Sequence, residues 1–330
     1  MRPAWCFAVV METVVVRLMP EPELSIVSPL YRSAPFLPAF IERATLAARA
    51  AGTSYEIILV DDGSPDESLE IAVAAAQADR CIRVVELSRN FGHHAAILAG
   101  LGQARGARIL LVDSDLEEPP ELLAPFAAAM AETGADVVYG YHDQKVGSKA
   151  RQAASGLFWR LFNLLSETRT QENLCHVRLM RRGYLDALLA MPERNLFLGG
   201  LYPWPGFHQV PVKVDRVINR PVSTYNLPRR VALAVRSVVA FSARPLHLIF
   251  LLGMVISLLA LGVGMAAIIM KIIWGDGMQV GFASLIISIW FLGGLTIMSL
   301  GVIGLYISQI YVETKARPRF VIRRIHEGPG

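Results

Sequence analysis

The sequence predicts an α/β protein in which a mostly parallel sheet, covered by helices on both faces, is followed by two membrane-crossing helices. Three observations predict it. Between Glu23 and Tyr141, short β-branched runs alternate with longer Ala-rich segments. Acid clusters fall where two of those runs end, at Asp61-Asp62 and at Asp113-Ser114-Asp115. Two long uncharged runs, Leu246 to Met270 and Met278 to Val312, close the chain.

Taken in order, "LSIVSPLY" reads as a strand, "LPAFIERATLAARAAG" as a helix, "YEIILVDD" as a strand and "DESLEIAVAAAQA" as a helix. "IRVVELS" follows as a strand, "HHAAILAGLGQA" as a helix, "RILLVDSD" as a strand, "PPELLAPFAAAMAETG" as a helix and "DVVYGY" as a strand. Pro119 and Pro120 suit the first turn of a helix, and Gly134 suits its end. Beyond Gly147, "SGLFWRLFNLLS" is helical with a broad apolar face carrying Phe158, Trp159 and Phe162, while "HVRLM" and "FHQVPVKVDRV" read as strands. "NLPRRVALAVRSVVAFSARP" is basic and amphipathic directly before the first uncharged run, which suits a helix lying in the lipid interface.

Each uncharged run exceeds the roughly 20 residues that cross a bilayer, and they are joined by Gly275-Asp276-Gly277. Arginines 229, 230, 236 and 244 precede the first; Lys315, Arg317, Arg319, Arg323 and Arg324 follow the second. The positive-inside rule puts both flanks in the cytoplasm, so the net charge of +4 reflects membrane flanks more than a nucleic-acid surface. Cys6, Cys81 and Cys175 are odd in number, widely spaced and without metal-ligand spacing, which suits a reducing compartment. The expected organisation is an extension over 1–22, a catalytic domain over 23–225, an interfacial helix over 226–244, paired spans over 245–312 and a basic cytosolic tail over 313–330. The extension has an apolar run broken by Glu12, with no small-residue cleavage site after it, and reads as an extension rather than a signal peptide.

In open α/β sheets ligands bind outside the carboxyl ends of strands, where the acid clusters fall. Like charges crowded there repel unless a cation holds them, and hard oxygen donors beside a nucleotide's phosphates suit Mg²⁺ or Mn²⁺. Such an ion neutralises charge developing on a departing diphosphate.

The stretches "SIVSPLY", "ILVDDGSPD", "LSRNFGHHAAILAGLGQARGARILLVDSDLEEPPELL", "VRLMRRGYLDAL", "FLGGL" and "FSARPLHL" resemble the successive motifs of family 2 glycosyltransferases of the polyprenyl-phosphate group. The resemblance spans residues 23 to 312. It implies a GT-A fold that moves a sugar, with inversion, from a nucleotide diphosphate of the UDP type to a polyprenyl phosphate, undecaprenyl phosphate in a bacterium. It implies a multi-pass inner-membrane protein with the catalytic domain and both termini in the cytoplasm; a homo-oligomer stays open.

By the same resemblance, Pro29 and Tyr31 would line the nucleotide pocket, Asp61 would accept from the base, and Asp113 would lie by the nucleoside. Asp115 would be the catalytic metal ligand, with Glu117 as a second ligand at a position commonly Gln. Glu118 and Glu121 read as first-turn acids that complement a helix dipole. His142, Lys145, Arg151, Arg178, Arg220, Ser223 and Tyr225 are expected on the acceptor side, Arg178 also in catalysis.

Departures from the family pattern are specific. Arg32-Ser33 stands where relatives have Asn-Glu, and Gly140-Tyr141-His142 where they have Gly-x-Arg. His176 replaces an acid, and Pro221-Val222-Ser223-Thr224-Tyr225 loses a glycine. Losing that acid is tolerable, because a phosphate monoester has a second pKa near 6 and attacks without a base.

Other classes fit less well. A processive polysaccharide synthase would carry Gln-x-x-Arg-Trp and more spans; a dinucleotide oxidoreductase would need a glycine-rich turn where "SPLYRSAPF" stands. A receiver-type module would not explain two spans. A non-catalytic membrane scaffold would not need the paired acids.

Overall fold

The computed structural model describes residues 21–142, 174–194, 198–215, 244–274 and 282–328. Strands β1 (Leu24–Leu30), β2 (Tyr55–Asp61), β3 (Ile82–Leu87) and β4 (Arg108–Leu111) alternate with helices α1 (Leu37–Ala50), α2 (Ser68–Ala78) and α3 (His93–Leu101). A 3-10 turn over Pro120–Leu122 leads into α4 (Leu123–Thr133), which ends at Gly134 in the left-handed conformation (φ 68°). Then come β5 (Val137–Tyr141), β6 (Leu174–Arg181), α5 (Arg182–Ala190), α6 (Leu198–Leu201) and β7 (Gln209–Lys213). Two long helices, α7 (Arg244–Trp274) and α8 (Phe282–Thr314), precede a last strand, β8 (Ile322–Glu327).

The sheet order is β7-β5-β6-β4-β1-β2-β3-β8. Six strands run parallel, while β6 and β8 run against their neighbours, so the sheet is mixed. Every residue of β1 is buried, as expected of a strand covered on both faces. Phe40, Phe126 and Met130 pack on one face; Ile97, Tyr184 and Leu201 pack on the other. Gly100 lets α3 settle directly on the sheet: a Cβ there would stand 2.5 Å from Val27 Cγ1 and 2.6 Å from Val60 Cγ2.

Two arrangements depart from the expected order. Strand β6 inserts between β4 and β5, so the last strand of the alternating run is not β4's neighbour. The segment expected as a basic tail instead contributes β8, antiparallel to β3 at the sheet's edge. Arg323 Nη1 and His326 Nε2 each lie 3.0 Å from the buried Glu86 carboxylate, and Arg83 Nε donates to Glu327 at 3.0 Å. An edge that would otherwise show unpaired backbone groups is thereby closed.

Helices α7 and α8 contain 31 and 33 residues, about 46 and 50 Å at 1.5 Å per residue. Phe250, Leu258, Ile272 and Ile297 on them are exposed. Among the described residues one stretch, Phe291–Thr314, is long and apolar enough to cross a membrane, with mean hydropathy 1.8; the apolar stretch Leu246–Ile256 is shorter. The end of α8 is fastened to the loop after α5. Glu313 accepts the Arg194 backbone N–H at 2.9 Å, Arg194 Nε donates to the Arg317 carbonyl at 2.8 Å, and Arg319 donates to the Met191 carbonyl. The expected extension up to residue 20, "SGLFWRLFNLLS" and the interfacial segment 226–243 lie outside the described residues.

Candidate active site

The carboxyl ends of β1, β2 and β4 converge on a cavity of about 380 Å³ lined by Pro29, Tyr31, Asp62, His93, Asp113 and Asp115, among others. Pro29 and Tyr31 therefore lie where expected, as do both acids of the Asp113-Ser114-Asp115 turn. Ser114 holds that turn in place. Its hydroxyl is buried, 2.8 Å from Ser33 Oγ and 3.3 Å from the Pro29 carbonyl, and the Ser33 N–H donates to Ser68 Oγ at 2.9 Å. Leu116 follows Asp115 with φ 59°, and Arg32 follows Tyr31 with φ 55°. Left-handed backbone at non-glycine residues is held only where the surroundings dictate it, and it recurs at functional turns.

Asp61 and Asp62 divide their tasks. Asp61 accepts N–H groups of Gly63 and Ser64 at 3.1 and 3.2 Å, so its carboxylate closes its own turn; it is 2% exposed and does not line the cavity. Asp62 reaches the cavity and accepts the Phe91 and Gly92 N–H groups at 2.7 and 2.9 Å, fixing the loop that starts α3. Burial pushes both carboxyls up, against the pull of those donors. Glu117 does not line the cavity; its N–H donates to Asp115 Oδ1 at 3.1 Å.

Three histidines stand together beside the acids. His93 and His176 meet edge to face at 4.8 Å, and His94 lies 5.9 Å from His176. His93 Nε2 is 3.6 Å from Asp113 Oδ1. Burial, then neighbouring His94, lowers His93 to about 4; burial, then His93 and Arg178, lowers His176 to about 3. Both imidazoles are neutral near pH 7. His93 and His94 were not among the expected site residues, although the pair opens α3 directly after Gly92.

Arg178 is not at the cavity wall. It is 2% exposed within β6, with Cζ 3.1 Å above the Tyr202 ring, and its guanidinium donates to the His176 and Cys175 carbonyls at 3.3 and 3.4 Å. The expectation that it meets the acceptor directly is corrected to a charge buried behind His176. His142 is also placed otherwise: Nδ1 is 3.0 Å from the Val214 carbonyl and Nε2 is 3.1 Å from Glu118 Oε1. Glu118, expected as a first-turn acid complementing a helix dipole, is 9% exposed against His142, and burial raises its carboxyl. Glu121 takes the exposed position, paired through both oxygens with Arg43 at 2.8 and 2.9 Å. Lys145, Arg151, Arg220, Ser223 and Tyr225 lie outside the described residues.

Asp62, Asp113 and Asp115 line the same cavity, and carboxylate oxygens are donors that suit Mg²⁺ or Mn²⁺ better than a thiolate-seeking ion, although both Asp62 oxygens already accept the Phe91 and Gly92 N–H groups. The sequence profile described as Glycosyl transferase family 2 matches residues 25–189, the stretch that carries this cavity. The chain is a family 2 glycosyltransferase.

This glycosyltransferase is 43% identical over 303 residues to a Mycobacterium tuberculosis protein described at the level of glycosyltransferase, covering 92% of this chain and 88% of that one. It is 32% identical to the prophage bactoprenol glucosyl transferase homolog of Escherichia coli, covering 92% and 99%. It is 33% identical to the undecaprenyl-phosphate 4-deoxy-4-formamido-L-arabinose transferase of Yersinia pestis, covering 93% and 94%. Among solved structures, a Pyrobaculum calidifontis mannosyltransferase in complex with GDP-Man and Mn²⁺ is similar at a TM-score of 0.47 and 17% identity, covering 88% of each chain.

Proposed function

We propose that this glycosyltransferase moves a sugar from a nucleotide diphosphate of the UDP type to undecaprenyl phosphate at the cytoplasmic membrane face, with inversion. The observation that carries the reading is the acid turn Asp113-Ser114-Asp115 at a cavity on the carboxyl edge of the sheet, in a chain whose relatives are named for bactoprenol and undecaprenyl phosphate.

What supports the proposed roles is which residues line the cavity. Tyr31, 44% exposed at the mouth, and Pro29 flank the nucleoside, with Asp113 beside it; Asp61, expected to accept from the base, does not line the cavity and instead holds the β2 turn. Asp115 would hold the divalent ion, and Glu117, whose N–H donates to Asp115 Oδ1, would be the second ligand. When bound, that ion supplies positive charge against the diphosphate.

The reaction itself needs little proton chemistry. An acceptor phosphate oxygen attacks the anomeric carbon, the bond to the nucleotide diphosphate breaks, and its electron pair leaves with that group. The phosphate is already largely dianionic near neutral pH, so the neutral imidazole of His176 in place of an acid costs nothing at this step. Repulsion between the two anionic reactants remains the barrier to offset. Arg178 adds a fixed positive charge behind His176, and Lys145, Arg151, Arg220, Ser223 and Tyr225 are the proposed acceptor contacts. His142 is left out because the Val214 carbonyl and Glu118 engage its two nitrogens.

The membrane reading gains support from β8. The sheet precedes α7 and α8 in the chain, and β8 follows them yet pairs with β3. A chain that leaves a sheet and returns to it crosses a bilayer an even number of times, which suits α7 and α8 as a hairpin of two spans. The test is to supply the purified protein with undecaprenyl phosphate, Mg²⁺ or Mn²⁺ and a panel of labelled nucleotide sugars. A labelled lipid sensitive to mild acid is expected with one donor; label on no lipid from any donor would overturn the reading.

A further inference from the structure

Glu118, His142 and Cys175 come from three segments that the sheet brings side by side: the turn after β4, the residue after β5, and β6. One ligand atom from each lies within 4.8 Å of the others. Glu118 and Cys175 are 9% and 5% exposed, and the His142 side chain is 14% exposed. We propose that these three residues form a second metal site, for a borderline ion of the Zn²⁺ class, which staples the acid turn to β5 and β6.

The donor set argues for that class of ion. An imidazole nitrogen, a carboxylate oxygen and a thiolate sulfur together suit Zn²⁺ and not Mg²⁺, which takes oxygen and keeps its water. The imidazole is already oriented. Its Nδ1 faces the Val214 carbonyl at 3.0 Å, fixing that nitrogen as the N–H and leaving Nε2 directed at Glu118. Backbone carbonyls hold metal-binding histidines in this way. Cys175 is a thiol outside any disulfide. Three protein ligands with a fourth position left for water complete a tetrahedron. On binding, the thiol proton leaves to solvent, and the electron pair that held it forms the metal–sulfur bond.

This site is separate from the cavity acids in chemistry, since it contains sulfur and nitrogen, and it does not depend on the sugar-transfer reading. Co²⁺ is the probe, added alone to the full-length, chelator-treated protein in detergent. The expected result is a sulfur-to-cobalt charge-transfer band with strong tetrahedral visible bands, saturating at one equivalent. Excess Zn²⁺ abolishes the band and excess Mg²⁺ does not. The band is absent in Cys175→Ser and persists in Asp115→Ala. Absence of the band in the unaltered protein, its survival in Cys175→Ser, or its loss in a folded Asp115→Ala overturns the proposal. Should Cys175→Ser unfold, the unaltered protein decides: Zn²⁺ raises its thermal midpoint if the staple exists, and an unchanged midpoint overturns it.

Discussion

The Arg178 guanidinium carbon lies 3.1 Å above the ring of Tyr202, in a residue 2% exposed. Its guanidinium also donates to the His176 and Cys175 carbonyls. Burying a cation this way costs free energy that an aromatic face and two carbonyls offset only in part. An apolar side chain of similar length should therefore stabilise the fold while removing the charge. Arg178→Met is expected to hold or raise the thermal midpoint while turnover falls at least about tenfold. Equal loss of stability and activity would make Arg178 a packing residue only.

Asp115 gives the opposite kind of prediction. Its carboxylate lines an open cavity, so little of the core depends on it. Asp115→Ala is expected to lower transfer by at least about 100-fold with unchanged thermal unfolding, because the ion it holds supplies several kcal/mol of charge stabilisation. Transfer near that of the unaltered protein would remove the metal from Asp115.

The histidine cluster sets an acid limit. His176 is held at about 3 when folded and returns to an ordinary value of about 6.5 when unfolded, so between those values the unfolded chain binds more protons. Stability is thus fully present above about pH 6.5 and is lost as pH falls below it. Denaturant unfolding of chelator-treated protein across this range is expected to show that slope, and His176→Gln to flatten it by about one proton. An unchanged slope in the variant would assign the acid sensitivity elsewhere.

The last strand should matter out of proportion to its length. Removing residues 322–330 would bare the β3 edge and leave the buried Glu86 without Arg323 and His326. The truncated protein is expected to unfold at lower temperature and to associate through the bared edge. A monodisperse truncation with an unchanged midpoint would show that β8 is dispensable.

Much of this was legible in the chain itself. Strands β1 to β5 and helices α1 to α4 announce themselves, because a strand buried on both faces must be continuously apolar and its covering helices must present an apolar stripe. The cavity acids were legible for a related reason: two acid clusters fall at strand carboxyl ends, where open α/β sheets bind ligands. By contrast, nothing local in "CHVRLM" distinguishes Arg178 on a surface from Arg178 under an aromatic ring. Nothing local in "EEPPE" separates buried Glu118 from Glu121 paired with Arg43.

What the sequence determined by itself was periodicity and therefore class: an alternating α/β domain, acid turns at its carboxyl edge, and long apolar helices near its end. Only the tertiary structure decided which strand neighbours which, that the basic tail returns as β8, and that Glu118, His142 and Cys175 meet. The physical reason is range. Apolar patterning acts within a turn or a pleat, whereas strand order and side-chain burial depend on partners as distant in sequence as Glu86 and Arg323.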